Sequence, residues 1–253
     1  MRTAALIGVQ FRYEQGVFWR NIGAAFFAFT FPVLLFVLFA ALFSDSAAAA
    51  FNGVKGIEYY APVIAAYGVM SACFVNPALT VTFRRETGLL KKVRGTALPA
   101  AAYFGGLAAS AAVNAAVIVA LILLVGTAGY GARLPADWPA FLVTLIVGAA
   151  AFCSIGLAVS ALIPNFDAAP AIVNLVFLVL LAISGGFYPV ASSSVPGRIA
   201  MVFPVQHLLL AASAAFGAGP RTAGFPWWHV AVVAGWGAAA FVFALRFFRW
   251  TPR

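Results

Sequence analysis

The sequence predicts an all-α integral membrane protein. Six transmembrane helices form a single domain over residues 1–253, with an N-terminal interfacial helix, a cytoplasmic coupling helix and an outer re-entrant segment between spans five and six. Three observations carry this prediction. The chain is 64% hydrophobic and 8% charged, whereas a soluble domain carries about 25% charged residues to cover its surface. Six apolar runs approach the roughly 20 residues with which a helix crosses the hydrocarbon. The basic residues gather in a few connecting segments, as they do in chains oriented by the positive-inside rule.

The elements follow in order. In residues 1–20, Leu6, Val9, Tyr13 and Val17 recur at helical spacing, and Gln10, Arg12 and Glu14 lie off that stripe. This pattern suits an amphipathic helix at the membrane interface rather than a span. Arg12, Glu14 and Gln15 interrupt what would be the apolar core of a cleavable signal peptide. Spans are expected at residues 22–43, 59–83, 100–125, 141–163, 168–186 and 227–248. Pro32 kinks the first, and the second contains Pro62, Asn76 and Pro77. Proline is tolerated there because neighbouring helices satisfy the freed backbone groups. The fifth is short and ends in Ser184-Gly185-Gly186.

Between spans two and three lies a charged island, residues 84–99, holding Arg84, Arg85, Lys91, Lys92 and Arg94. Residues 86–94 are expected to form about two helical turns with Leu89, Leu90 and Val93 as the apolar side. Gly95 is the stop, and Pro99 opens the next helix. With both termini in the cytoplasm, Arg2, Arg12, Arg20, the island, Arg246, Arg249 and Arg253 fall inside, and Lys55, Arg133, Arg198 and Arg221 outside. The reverse orientation would break the positive-inside rule. Trp138, Trp227 and Trp228 then meet the outer interface, and Trp19 and Trp250 the inner one, as an aromatic belt. The net charge of +9 is read as a topology signal. No soluble basic domain is present to bind nucleic acid.

Residues 187–226 are too long for a turn. The apolar stretch 201–216 is too short to cross, and Pro189, Pro196, Pro204 and Pro220 divide the segment. Two forms are open: a pair of short helices that dips into the outer leaflet and returns, buried against protein, or an outer loop lying flat on the membrane.

This order of elements resembles the membrane (permease) subunit of type-2 ABC exporters, such as the daunorubicin-resistance-type and polysaccharide-export permeases. Arg85, Glu86, Gly88, Leu90, Lys91, Arg94 and Thr96 stand at the family's cytoplasmic signature. Tyr60-Ala61-Pro62 resembles the start of its second span, and Ser184-Gly185-Gly186-Phe187-Tyr188-Pro189, Val195-Pro196 and Phe203-Pro204 resemble its outer re-entrant region. Arg84 departs from the pattern, since an acidic residue is common there, which weakens a salt-bridge role at that position. Ala97 replaces the usual proline.

The resemblance implies a multi-pass permease of the plasma membrane, acting as a homodimer or with a similar partner and energised by a separate ABC ATPase subunit. ATP and Mg would bind on that partner, and this chain would bind no cofactor. It also implies that the island couples the two subunits. Arg85, Glu86, Gly88, Leu89, Leu90, Lys91, Val93 and Arg94 are the coupling candidates, with the leucines and Val93 filling a groove on the ATPase. The expected cargo is a hydrophobic small molecule or drug, or alternatively a lipid-linked glycan.

The residues themselves exclude some rivals. No Gly-Lys pair occurs, so there is no phosphate-binding loop. Glu14, Asp45, Glu58, Glu86, Asp137 and Asp167 fall in loops or at span ends, which argues against a proton-coupled carrier. His207 and His229 have no acidic residue close in sequence and read as interfacial polar residues rather than an enzyme's centre. Cys73 and Cys153 lie in apolar runs without metal-ligand spacing. Asn76, Asn114 and Asn174 lie within spans, where they serve either as glue between helices or as contacts along a substrate pathway.

Overall fold

The computed structural model describes residues 3–43, 55–186, 194–217 and 225–250, and every regular element in them is helical. Helix α1 (Thr3–Arg20) ends at Asn21, whose carbonyl accepts the Ala25 N–H as α2 (Ile22–Phe43) begins. Helix α2 buries one narrow stripe, Ala25, Pro32, Phe36 and Ala40. Phe26, Phe27, Phe31, Leu34, Leu38 and Leu42 stay exposed. An apolar exposed face of this size belongs in lipid.

The second long helix is the centre of the bundle. It runs through α3 (Gly56–Met70), one π turn (Ser71–Val75) and α4 (Asn76–Glu86). Nearly every residue of α3 is buried. The π turn has a local cause. Pro77 offers no N–H to the Cys73 carbonyl and its ring crowds that carbonyl, so the preceding turn widens. After α4, Gly88 takes φ 71° and turns the chain into α5 (Leu89–Arg94). Then follow α6 (Ala100–Tyr130), α7 (Trp138–Leu162), α8 (Ala169–Ile183), α9 (Val195–Ala200), α10 (Pro204–Ala215) and α11 (Trp227–Phe247).

Contacts sort the helix ends into two levels. At the α5 end, Arg85 reaches the end of α7, Phe83 meets Phe166 just before α8, and Phe104 of α6 packs on Phe248 and Trp250 just after α11. At the opposite end, the Ala136 and Asp137 N–H groups before α7 donate to Ala215 O of α10, and the Tyr59 hydroxyl of α3 donates to Gly185 O after α8. The long helices therefore alternate in direction. Close packing uses small residues, as membrane helix seams do. A Cβ on Gly237 of α11 would lie 2.8 Å from Ala151 Cα of α7.

Several expected boundaries change. Among the described residues five helices are long and apolar enough to cross a membrane, and α8, where a fifth span is expected, is a shorter apolar helix of 15 residues. At 1.5 Å per residue α8 covers about 22 Å; the Ser184-Gly185-Gly186 turn ends it early. Helix α6 runs on to Tyr130, beyond residue 125, and α7 starts at Trp138 rather than 141. The island does not form one helix from residue 86. Helix α4 continues to Glu86, and α5 starts only after the left-handed Gly88.

Candidate functional site

The end of α4 is built from two adjacent arginines that point to different neighbours, as successive residues on a helix must. Arg85 is 1% exposed. Its Nη1 donates to Ser160 O at 2.8 Å and its Nη2 to Ile163 O at 2.6 Å. Both carbonyls lie at the end of α7, where no further helical N–H can reach them, and a cation there also suits the helix dipole. Arg84 turns to α1. Its Nη1 and Nη2 donate to Glu14 Oε1 and Oε2 at 2.6 and 2.7 Å, and Nη1 also donates to the Tyr103 hydroxyl at 2.9 Å. Gln10 Nε2 donates to Glu14 Oε1 at 2.7 Å. The Arg84 and Glu14 side chains are 6% and 5% exposed.

This pair corrects two sequence expectations. Arg84 holds a salt-bridge role after all, through a partner 70 residues away. The polar side of α1 lies against protein rather than in water: Gln10 and Glu14 are buried, while Val9, Tyr13 and Val17 stay exposed, as an apolar face directed to the membrane would be. Helix α6 draws the polar side inward, because it faces α1 with polar groups. Gln15 Nε2 donates to Ser110 O, Ser110 Oγ and Asn114 Oδ1 at 3.2, 3.0 and 3.2 Å. Gly106 permits the contact; a Cβ there would lie 2.6 Å from Gln10 Cβ.

The coupling candidates divide by placement. Leu90 is fully buried in a cluster with Val81, Tyr103 and Leu107, so it docks α5 onto this chain's own helices rather than offering itself to a groove elsewhere. Val93 packs on the same cluster and is half-buried. Lys91, Lys92 and Arg94 are exposed; Glu86, Gly88 and Leu89 are half-exposed.

The span asparagines are placed separately. Asn114 lies in the α1–α6 seam. Asn76 accepts from Thr80 Oγ1 at 3.0 Å, and Asn174 is exposed. A cavity of about 160 Å³ lies elsewhere, walled by Phe31, Pro32 and Leu35 of α2, Ile64 and Tyr67 of α3, Ser71 of the π turn, and Phe177, Leu178 and Leu181 of α8. Phe31 and Leu178 are exposed at its rim, so it opens sideways between α2 and α8. Its walls are apolar, and the Tyr67 hydroxyl is already bonded to Ser184 Oγ at 3.0 Å.

At the opposite end, Gly185 takes φ 69°, and the Tyr67 ring occupies the space that a side chain on Gly186 would need. Pro196 and Pro204 stand in the first turns of α9 and α10. Pro189 lies outside the described residues. His207 and His229 meet, Nδ1 to Nδ1 at 2.8 Å, and His207 Nε2 contacts Met201 O at 2.9 Å. Sequence reading missed this pair, since 22 residues separate them. Among the described residues no group of three or more His, Cys, Asp or Glu side chains could hold a metal ion.

A protein-family model described as ABC-2 type transporter matches residues 6–216. No curated protein matches the chain.

Proposed function

The chain belongs to the ABC-2 type transporters as a multi-pass membrane subunit without ATPase activity, ATP being hydrolysed by a partner, and from that premise we propose that it exports a hydrophobic small molecule or drug. The observation that carries this reading is the α5 loop. Leu90 and Arg85 hold the loop against α4, α6 and α7, while Leu89, Lys91, Lys92 and Arg94 face away from the bundle. A short helix fixed at its base and open on its outer side is suited to receive a push from an ATPase and pass it on. Glu86, Gly88 and Val93 border that surface. The partner's rim would be acidic, to complement the three exposed cations.

The sideways cavity supports an apolar cargo entering from the lipid. Two copies, or one copy and a similar permease, would enclose the pathway, with both termini and α5 in the cytoplasm of the plasma membrane. The segment carrying α9 and α10 is read as re-entrant. Leu208 packs on Gly148, ten residues on from Trp138, which is about 15 Å along α7 at 1.5 Å per residue. Trp236 Nε1 donates to Val202 O at 3.1 Å, at a similar distance along α11. A chain that goes this far in and returns dips without crossing.

The test is co-expression with the ATPase subunit and co-purification. Leu89→Asp with Lys91→Glu is expected to abolish ATPase binding while leaving the permease in the membrane. Retained binding and ATP-driven uptake of a lipophilic dye into inverted vesicles would overturn the docking surface. Transport of a lipid-linked glycan in place of the dye would overturn the cargo.

A further inference from the structure

We propose that the Glu14–Arg84 pair is the strut through which movement of the α5 loop reaches the N-terminal helix, a step that rests on the coupling reading above. Arg84 and Arg85 are consecutive on the last turn of α4, two residues before α5. One grips α1 through a carboxylate, and the other grips α7 through carbonyls. Anything that displaces α5 pulls first on this turn, so the two arginines divide the displacement between two helices.

The type of contact matters. An apolar seam between membrane helices can slide, because lipid competes equally for its faces. A two-pronged guanidinium–carboxylate contact cannot slide without breaking both bonds. Here Glu14 is fixed further by Gln10, and Arg84 by the Tyr103 hydroxyl. The rings of Tyr13 and Tyr103 also flank the guanidinium, at 5.9 and 5.8 Å. Stability alone does not account for the pair, since apolar residues of similar volume hold buried helices together as well or better. A fixed geometry between a moving loop and a separate helix does account for it. Glu14 and Arg84 are thus positioning residues.

The test follows distances in the intact permease–ATPase complex in liposomes, with Cys73→Ala and Cys153→Ala as background. Spin labels are placed on Ala97→Cys just after α5 or Val9→Cys of α1, each paired with a label on Leu245→Cys of α11. All three positions are exposed, and none belongs to the proposed docking surface. Between the nucleotide-free and ATP–vanadate-trapped states, both distances are expected to change in the parent. In Glu14→Gln/Arg84→Gln the Ala97 change is expected to persist and the Val9 change to be lost. The reversed pair Glu14→Arg/Arg84→Glu is expected to restore it. A Val9 change that survives the neutral pair, or is absent from the parent while Ala97 moves, overturns the strut and leaves the coupling reading standing. An immobile Ala97 in the parent overturns the coupling reading and the strut with it. Should the neutral pair not fold, the reversed pair decides: Val9 following Ala97 supports the strut, and a stationary Val9 overturns it.

Discussion

Leu90→Ala is the substitution that separates docking within the chain from docking onto a partner. Leu90 is fully buried among Val81, Tyr103 and Leu107, with Val93, Leu98, Phe104 and Leu157 around them. Truncating a buried leucine costs about 2–5 kcal/mol through lost transfer and the cavity left behind. This cluster is small and lies at the end of the bundle, where neighbours can close in, so the cost should fall at about 3 kcal/mol. A helix of six residues is not stable alone, so the loss concentrates on α5. At roughly 2–4 °C per kcal/mol for a chain of this size, the melting temperature should drop by about 6–12 °C. Leu89→Ala, on the half-exposed side, should change stability by less than about 0.5 kcal/mol but weaken ATPase binding. The assay is thermal unfolding of the purified permease in detergent, run beside co-purification with the ATPase. If Leu90→Ala melts with the parent and loses only ATPase binding, Leu90 faces the partner and the packing described here is wrong.

Three further outcomes are expected. Arg85→Gln shortens the reach to Ser160 O and Ile163 O and should cost about 2–3 kcal/mol, since hydrogen bonds from a charged donor are worth about 1.5–3 kcal/mol each and glutamine recovers part of one; the melting temperature reads it, and an unchanged value would contradict the contact. Gly186→Ala should prevent the Tyr67–Ser184 contact, seen as increased hydrogen exchange in α8 with α6 unaffected; equal exchange would count against the α3–α8 packing. A cysteine at Arg198 should react with an impermeant thiol reagent from outside intact cells and one at Lys92 should not, in a background lacking Cys73 and Cys153; the reverse pattern would invert the proposed topology.

Much of the class and layout was legible in the residues. Runs of about 20 apolar residues identify long helices because crossing hydrocarbon is a local requirement of length and composition. The ends of α2 and α11 follow from it, while the helical turns within the 84–99 island are read from the spacing of Leu89, Leu90 and Val93. The π turn before Pro77 and the break at Gly88 were not legible in the residues, where the span prolines read as tolerated and one helix runs through Gly88. The faces were another matter. In water, apolar periodicity points to the core, but in lipid apolar side chains suit either side of a helix equally. The stripe Leu6, Val9, Tyr13 and Val17 was therefore recognisable, while the burial of Gln10 and Glu14 on the other side was not. What drew the polar side inward was the polar surface of α6 and the guanidinium of Arg84, which needed a carboxylate to leave water. The same limit applied to Leu90, whose burial depends on Val81 of α4 and on Tyr103 and Leu107 of α6 folding back over α5. It applied to His207 and His229 as well. Each of these pairings joins residues on different helices, and only the packing of α1, α4, α5 and α6 against one another, and of α10 against α11, brings them within reach.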